Sequence, residues 1–275
     1  MCNMNTYIKT IPQGSVPVAS LPDWALGHGI SALSTEEVMY LCAIPAQHVS
    51  QRMALLRKRA QIFSPTRGLW IPIPVEYRTW GAPNPLIYID DMMTHLGIDY
   101  LVGWLSSAAR YGASHHAAQV FQVATSRAVR DREFGRSRLE FFARNYVGSV
   151  KPSSDFSQKT KAKIASVPTT MLMLASDIAI CGGLNNVSNL IVELADEYDD
   201  FENGIVAEAP LFPDTAARRI GWLLDTFGEG APDGLRDYCA TLTSDASTLS
   251  PSTSRTGRTN SNWKIIVNEE VDPDI

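Results

Sequence analysis

The 275-residue sequence predicts an α+β fold divided into two domains. Near the N-terminus, helical patterns are followed directly by a hairpin pattern, and Gly and Pro residues cluster around position 81. Beyond residue 160, amphipathic helical patterns dominate. We therefore expect a small first domain over residues 1–80. A larger mixed α/β domain over residues 81–275 should follow, with a helical second half.

The composition is that of an ordinary globular protein, with 45% hydrophobic residues. The sequence has no run of roughly 18 apolar residues, and its first residues lack the apolar core of a signal peptide. These features predict a cytoplasmic protein that does not enter a membrane. The cysteines show no CxxC pair and no His at ligand spacing, so we expect free thiols, no zinc site and no cofactor.

Charge is distributed unevenly along the chain, whose formal net charge is -5. Residues 1–80 carry seven Lys or Arg against four Asp or Glu, and residues 81–150 carry seven against six. The remainder carries 10 basic and 19 acidic residues. This asymmetry predicts two surfaces with different partners.

The first domain begins with a short amphipathic helix after Pro22. The stretch "STEEVMYLCAI" predicts a second helix, because Ser34 and Glu37 stand at the spacing of a capping box. Ile44 ends this helix, since the Pro that follows it disfavours helical geometry in the preceding residue. Pro45 in turn suits the first turn of a new helix.

The next predicted helix has a buried face, because its apolar residues recur at helical spacing: Val49, Met53, Leu56 and Ala60. "IFSPTRGLWIPIP" then has the pattern of a β-hairpin with a Pro-Thr-Arg-Gly turn, where Gly68 lets the chain reverse. The order of helix, helix, turn, helix and hairpin is typical of a winged helix-turn-helix. In that architecture the second helix of the motif enters the DNA major groove.

The exposed face of this helix carries groups that bind bases and phosphates. Gln pairs with adenine edges and Arg with guanine edges, while Lys and Arg neutralise phosphates. The sequence therefore predicts a double-stranded DNA interface, with its last two residues at the hairpin turn: Gln47, His48, Ser50, Gln51, Arg52, Arg57, Lys58, Thr66 and Arg67. The alternative interpretation is a solvated basic face that serves only solubility.

The segment "VEYRTWGAPNPL" contains Gly81, Pro83 and Pro85 and marks the predicted domain boundary. After it we expect a short helix beyond Asp90 and a longer helix across "IDYLVGWLSSAARYG". Two predicted strands, within "QVFQVATS" and "SRLEFFARNYVG", flank the charged turn "RAVRDREFGRSR".

Further along, helical patterns are found in "PTTMLMLASDIAICGG", "GLNNVSNLIVELADEYDDF" and "FPDTAARRIGWLLDTFGE". We expect Thr169 or Thr170 to cap the first of these helices and Gly182 to end it. Residues 243–262 are poor in hydrophobics and rich in Ser and Thr, so they should be extended or mobile. The last apolar segment, "WKIIVN", is strand-like and expected to dock onto the second domain.

The sequence predicts no catalytic or metal centre. Asp90 and Asp91 begin a helical pattern, which favours a role in capping and dipole complementation over Mg²⁺ binding. His115 and His116 are adjacent and point different ways on a helix, which argues against a metal site. The GxGxxG, GxxxxGK[ST], GxSxG and HExxH motifs are absent.

Acidic residues crowd the stretch from 193 to 208, with no basic residue among them. This pattern predicts a solvated helix end. The alternative is an acidic surface for a basic protein partner.

Two separate segments, "YLVGWLSSAARYG" and "QVFQVATS", follow a first unit that ends in "RGLWIP". In this order they resemble the AbiE-type antitoxins (AbiEi), most closely the mycobacterial members, over roughly residues 21–225. The matching positions are Tyr100, Val102, Gly103, Leu105, Ser106, Ala108, Gly112, Gln119, Val120, Phe121, Gln122, Val123 and Thr125. Tyr111 departs from the family's pattern, where many relatives have His, and His116 stands where some have Gln or Pro.

The resemblance implies the antitoxin half of a bacterial toxin-antitoxin pair whose toxin is nucleotidyltransferase-like. It also implies binding of an inverted-repeat operator through the winged domain, repression of the protein's own operon, and toxin neutralisation through the C-terminal domain. No catalytic activity is implied. Two alternatives stay open from the residues: a protein-interaction module that binds the toxin without specific DNA binding, and a nucleic-acid-modifying enzyme.

Overall fold

The fold is taken from a computed structural model, which describes residues 6–113, 120–156, 160–198 and 201–273 and combines helices with several sheets. The chain forms two compact units. The first unit comprises Met1–Asp99, Val129–Phe141 and Ser157–Ala162. The second comprises Tyr100–Ala128, Phe142–Phe156 and Lys163–Ile275.

The α-helices, in chain order, are α1 (Leu21–Gly27), α2 (Thr35–Cys42), α3 (Ala46–Lys58), α4 (Ile89–Leu96), α5 (Trp104–Ala108), α6 (Val167–Ser176), α7 (Leu184–Glu197), α8 (Glu202–Glu208), α9 (Asp214–Phe227) and α10 (Asp233–Thr241). The strands are β1 (Leu33–Ser34), β2 (Ile62–Thr66), β3 (Leu69–Pro72), β4 (Tyr100–Val102), β5 (Val120–Thr125), β6 (Arg132–Phe134), β7 (Ser137–Ala143), β8 (Ser247–Thr248), β9 (Arg258–Asn260) and β10 (Ile265–Val267). Short 3-10 turns include Val75–Trp80, Pro85–Ile87 and Ile178–Cys181.

The predicted capping box begins α2. Ser34 Oγ accepts a hydrogen bond from the Glu37 backbone N–H at 3.2 Å, and Glu37 Oε2 accepts one from the Ser34 N–H at 2.8 Å. The helix ends at Cys42, and the left-handed φ of +48° at the next residue, Ala43, redirects the chain. Pro45 then precedes α3 as its N-cap residue. The predicted break between the two helices is confirmed.

A three-stranded sheet with the order β1-β3-β2 packs with α1, α2 and α3 in the first unit. Leu33 pairs with Trp70, and Thr66 pairs with Leu69 across the hairpin turn. The core between these elements is apolar and includes Leu21, Ala25, Leu33, Val38, Leu41, Val49, Met53, Leu56 and Ile62. Burial of this set stabilises the arrangement of α2 and α3.

The first unit continues past the boundary that the sequence predicts after residue 80 and extends to Asp99. Tyr88 packs edge-on against Phe63, with ring centroids 5.1 Å apart, and Ser31 Oγ donates to Asp91 Oδ2 at 2.5 Å. These contacts attach α4 to the first unit. The Gly- and Pro-rich segment is therefore a turn within that unit.

Residues 129–141 also belong to the first unit, where β6 pairs antiparallel with β7. Phe134 lies opposite Ser137, so the reversal between the strands is tight. The segment predicted as a charged turn thus contains a strand, β6, and the tip of a second hairpin.

In the second unit, β4 pairs antiparallel with β5, with Leu101 opposite Ala124. The long helix predicted across "IDYLVGWLSSAARYG" is wrong, because only α5 within it is helical. Tyr100–Val102 gain buried strand pairing with β5, and Val102 also forms a parallel bridge with Ile164. Such tertiary pairing outweighs a local helical pattern.

Helices α6, α7, α8 and α9 pack together in the second unit. Ser166, not Thr169 or Thr170, caps α6, since its Oγ accepts from the Thr169 N–H at 3.3 Å. The helix stops at Ser176, and a separate 3-10 turn leads to Gly182, whose φ is +83°. The predicted single helix therefore divides into two pieces.

The C-terminal segment forms a small sheet with the order β8-β10-β9. Ile265 pairs with Ser247 on one side and with Asn260 on the other. Trp263, 1% exposed, lies against Gly221 of α9. The predicted docking of "WKIIVN" is confirmed, and β8 and β9 lie within residues 243–262.

Candidate nucleic-acid interface

Helix α3 is held on the first unit by one apolar face. Val49, Met53 and Leu56 are between 0% and 3% exposed, so the helix has a fixed orientation. The opposite face is exposed and carries most of the predicted site: Gln47, His48, Ser50, Gln51, Arg52, Arg57 and Lys58. Ala60, predicted to share the buried face, follows the end of the helix with a φ of +51° and is half-buried.

The charges on this face are not neutralised locally. Among the ion pairs of the described residues, none involves Arg52, Arg57 or Lys58. Arg57 and Lys58 lie in the last turn of α3, where cations interact favourably with the helix dipole. The face therefore presents exposed cationic groups that can neutralise phosphates.

The hairpin turn is shorter than predicted. Pro65 and Thr66 belong to β2, so only Arg67 and Gly68 make the turn, and Gly68 has a φ of +83°. Thr66 is half-buried at the end of its strand, whereas the Arg67 side chain is exposed. The predicted four-residue Pro-Thr-Arg-Gly turn is therefore wrong, because the strands pair up to Thr66 and Leu69.

This turn is fastened to its surroundings and does not stand free. The Gly68 carbonyl accepts a hydrogen bond from the Thr35 N–H at 2.9 Å, at the start of α2. On the other side, His95 Nε2 of α4 lies 3.0 Å from the Arg67 carbonyl oxygen. The backbone of Arg67 thus has a fixed position, from which its guanidinium extends into solvent.

Sequence reasoning left two exposed side chains of this region unassigned. Leu55 is 53% exposed on α3 although its neighbour Leu56 is buried. Arg59, which follows the last residue of α3, is exposed. The exposure of Leu55 was predictable from helical spacing, since Leu55 lies three and four positions after Arg52 and Gln51, on the same side of the helix.

The carboxylates predicted to cap α4 lie in its first turn, and the N-cap position is occupied by Tyr88, whose side chain makes no capping hydrogen bond. Asp91 is half-buried, and burial raises its pKa above the ordinary value, partly offset by the hydrogen bond from Ser31. Within the described ranges, no three His, Cys, Asp or Glu side chains converge as a metal site requires. His115 and His116 lie outside the described residues.

The acidic stretch of the second unit is partly used in internal contacts. Glu202 Oε1 accepts a hydrogen bond from the Gly234 N–H at 2.8 Å, and Glu208 accepts one from the Thr169 hydroxyl. Asp196 and Glu197 are exposed at the end of α7. Asp199 and Asp200 lie outside the described residues.

The motif residues of the second unit have internal partners. Gln122 is 2% exposed, and its amide accepts from the Leu105 N–H at 3.0 Å and donates to the Ile180 carbonyl at 2.8 Å. A Cβ at Gly103 would lie 1.9 Å from the Met173 side chain. These residues join α5, β5 and α6, so the segments "YLVGWLSSAARYG" and "QVFQVATS" serve the internal packing of the second unit. Gln119, the first residue of the second segment, lies outside the described residues.

Residues 101–226, from β4 to α9, match the family described as the AbiEi antitoxin C-terminal domain. This region of the chain is thus similar to AbiEi antitoxin C-terminal domains. This domain supports an antitoxin role in a toxin-antitoxin system, and the AbiEi antitoxins are a regulatory, non-enzymatic family.

A solved structure has a similar fold. The crystal structure of the RV2827C protein from Mycobacterium tuberculosis superimposes with a TM-score of 0.66 at 13% identity. The alignment covers 93% of this chain and 94% of the mycobacterial chain. A comparison with curated proteins finds no match. No helix in the described part of the chain is long and apolar enough to cross a membrane.

Proposed function

We propose that this antitoxin binds double-stranded DNA through its first unit, represses its own operon and counteracts a nucleotidyltransferase-like toxin, without catalysing a reaction. The DNA-binding part rests on the exposed face of α3. There, Arg52, Arg57 and Lys58 have no carboxylate partner among the described residues.

The order of elements in the first unit supports this proposal. Helix α1, strand β1, helices α2 and α3 and the β2–β3 hairpin follow one another as in a winged helix-turn-helix. In that architecture α3 is the recognition helix, and its N-terminal residues contact base edges. We assign base contacts to the exposed residues of its first two turns: Gln47, His48, Ser50, Gln51 and Arg52.

The remaining cations are suited to the DNA backbone. Arg57 and Lys58 lie one turn further along α3, and Arg67 extends from the fastened hairpin turn with Thr66 beside it. We assign phosphate contacts to these residues, since they position a protein on DNA without selecting a sequence. An inverted-repeat operator would be bound by two copies of the chain, one on each half-site.

A mobility-shift titration on duplex DNA from upstream of the operon tests the DNA-binding proposal. We expect a specific shift at moderate salt that is lost in the Arg52→Ala, Arg67→Ala double variant. Each base contact contributes about 1–3 kcal/mol of discrimination, and each phosphate contact about one unit of salt slope.

The matched control is Arg78→Ala, which also removes an arginine of the first unit. Arg78 donates to Asp23 at 2.7 Å, so its charge is already paired, and this variant should bind like the wild type. A wild-type protein that gives no specific shift, or a double variant that binds as well as the control, would sink the proposal in favour of a module that binds only the toxin.

Coexpression tests the toxin-directed part. A nucleotidyltransferase-like protein encoded beside this antitoxin should arrest growth when expressed alone, and growth should recover when the antitoxin is present. Recovery should persist in the Arg52→Ala, Arg67→Ala variant, because the AbiEi domain is intact there. Continued arrest with the folded wild-type antitoxin would contradict this part.

A further inference from the structure

The segment "RAVRDREFGRSR" contains β6 and the start of β7, and residues 129–141 belong to the same unit as α3. Two contacts attach the hairpin there. The ring of Phe134 lies 5.2 Å from that of Phe63 on β2, and the Arg136 N–H donates to the Trp80 carbonyl at 3.2 Å. The tip of the hairpin therefore has a defined place on the first unit.

Gly135 allows the hairpin backbone to approach the Trp80 backbone closely. Its φ is +56°, and a Cβ at this position would lie 1.7 Å from the Trp80 carbonyl oxygen. Only glycine permits both the turn and the approach. Because the backbone at Gly135 is tightly confined, the neighbouring Arg136 projects from a rigid support.

The charges of the hairpin are only partly neutralised. Arg138 pairs with Glu140 at 2.9 Å and lies 4.0 Å from Glu133, while Asp131 accepts a hydrogen bond from a backbone N–H. The carboxylates of Asp131, Glu133 and Glu140 thus each have an ion-pair or hydrogen-bond partner within this segment. Arg130 and Arg136 are exposed, and neither takes part in an ion pair among the described residues.

The hairpin tip lies next to the end of α3. A cavity of about 310 Å³ is lined by Arg57 and Ala60 at the end of that helix, by Phe63, and by Glu133, Phe134 and Gly135 at the tip. The hairpin tip, which Arg136 directly follows, therefore adjoins the end of α3 that carries Arg57.

We propose that the β6–β7 hairpin is a second DNA-contacting element, in which Arg130 and Arg136 bind phosphates that flank the segment contacted by α3. A guanidinium binds a phosphate through charge and paired hydrogen bonds, independently of the base sequence. This inference rests on the proposed function, since it extends the same DNA interface. It assigns the hairpin a contribution to affinity and to footprint length, with sequence discrimination left to α3.

The test compares the wild type with the Arg130→Ala, Arg136→Ala double variant on the same duplex at several salt concentrations. Two lost phosphate contacts should reduce the salt slope by about two units. Raising the salt from about 50 to about 200 mM should then cost the variant about tenfold less affinity than the wild type. The preference for the specific over a scrambled duplex should be unchanged, and a hydroxyl-radical footprint should shorten at its flank.

Two single variants separate a contact from a general charge effect. Arg136→Ala and Arg138→Ala remove the same formal charge from the same hairpin, but only Arg138 is paired. We expect Arg136→Ala to lower the salt slope by about one unit and Arg138→Ala to leave it nearly unchanged.

The outcomes distinguish the two proposals. If the wild type binds specifically but the double variant has an unchanged slope and footprint, the hairpin inference is overturned and the α3 interface stands. Equal effects of Arg136→Ala and Arg138→Ala also overturn it. If the wild type itself shows no specific binding, both proposals fail together.

Discussion

At the scale of single residues, Asp225 is a hydrogen-bonding centre of the second unit. Its carboxylate accepts from Trp263 Nε1 at 2.7 Å, from Arg236 Nη2 at 3.0 Å and from the Ala231 N–H at 2.9 Å. Asp225→Ala leaves the buried indole N–H without its acceptor, so the free energy of unfolding should fall by about 1–3 kcal/mol. Urea denaturation measures this loss. Asp237→Ala, an exposed position on α10, is the control and should change stability by less than about 0.5 kcal/mol.

The same carboxylate predicts a pH dependence. Burial raises the pKa of Asp225, but hydrogen bonds from Arg236, Ala231 and Trp263 outweigh burial and hold it below the ordinary value. A carboxylate with a depressed folded pKa stabilises the fold above its unfolded pKa of about 3.9, and this contribution is lost as the pH falls through the folded pKa. The stability difference between wild type and Asp225→Ala should therefore be constant above about pH 5 and shrink below about pH 4. A difference that stays constant to about pH 3 would contradict this assignment.

Leu55 and Leu56 offer a direct test of how α3 is oriented. They are adjacent, yet Leu55 is 53% exposed and Leu56 only 3%. Leu56→Ala should cost about 2–5 kcal/mol of unfolding free energy because it leaves a cavity in the core, whereas Leu55→Ala should cost less than about 0.5 kcal/mol. Thermal and urea unfolding of both variants measure this contrast. Similar losses in the two variants would mean that α3 is rotated from the orientation described.

Burial on α3 was predictable from sequence at three of its positions. Val49, Met53 and Leu56 follow helical spacing, and the spacing alone places them on one face. Ala60 breaks the pattern because the helix ends at Lys58 and the chain then turns through a left-handed residue. Whether an exposed Arg is paired depends on partners distant in sequence, so that property required the structure.

At the scale of elements, the contribution of the α2 capping box to the free energy of unfolding can be measured. Ser34→Ala removes the acceptor for the Glu37 N–H and should lower the free energy of unfolding by about 1 kcal/mol, within a range of about 0.5–2 kcal/mol. Ser50→Ala is the control, since Ser50 is exposed in the middle of α3 and caps nothing. Chemical denaturation should rank the Ser34 variant clearly below the control, and equal stabilities would contradict a role for the box.

Helix starts were predictable where the signal is local. Ser34 with Glu37 and the position of Pro45 located the starts of α2 and α3, since caps depend only on neighbouring residues. Strand β4 was predicted as helix, because a short, mainly apolar run such as Tyr100–Val102 fits a buried helix and a buried strand equally well. Its strand partner, which decides between them, lies about 20 residues away in sequence. The hairpin turn was predicted two residues too long for a similar reason, because the pairing of Thr66 with Leu69 sets its length.

At the scale of the whole molecule, charge follows the division into units. The first unit contains 13 Lys or Arg against 10 Asp or Glu, and the second contains 11 against 19. The sequence indicated this gradient but placed the boundary after residue 80, because no local signal shows that residues 129–141 return to the first unit. The return brings additional arginines to the unit proposed to bind DNA.

The most direct test of the central claim is a fluorescence-anisotropy titration of the wild-type protein with two labelled duplexes, one from upstream of its operon and one scrambled. Both should be bound with an affinity that falls steeply as salt rises, since phosphate contacts dominate. The operator duplex should be bound about 10³-fold or more tightly than the scrambled one, and Arg52→Ala should reduce that ratio. Equal affinity for the two duplexes, or binding that does not respond to salt, would contradict a DNA-binding antitoxin.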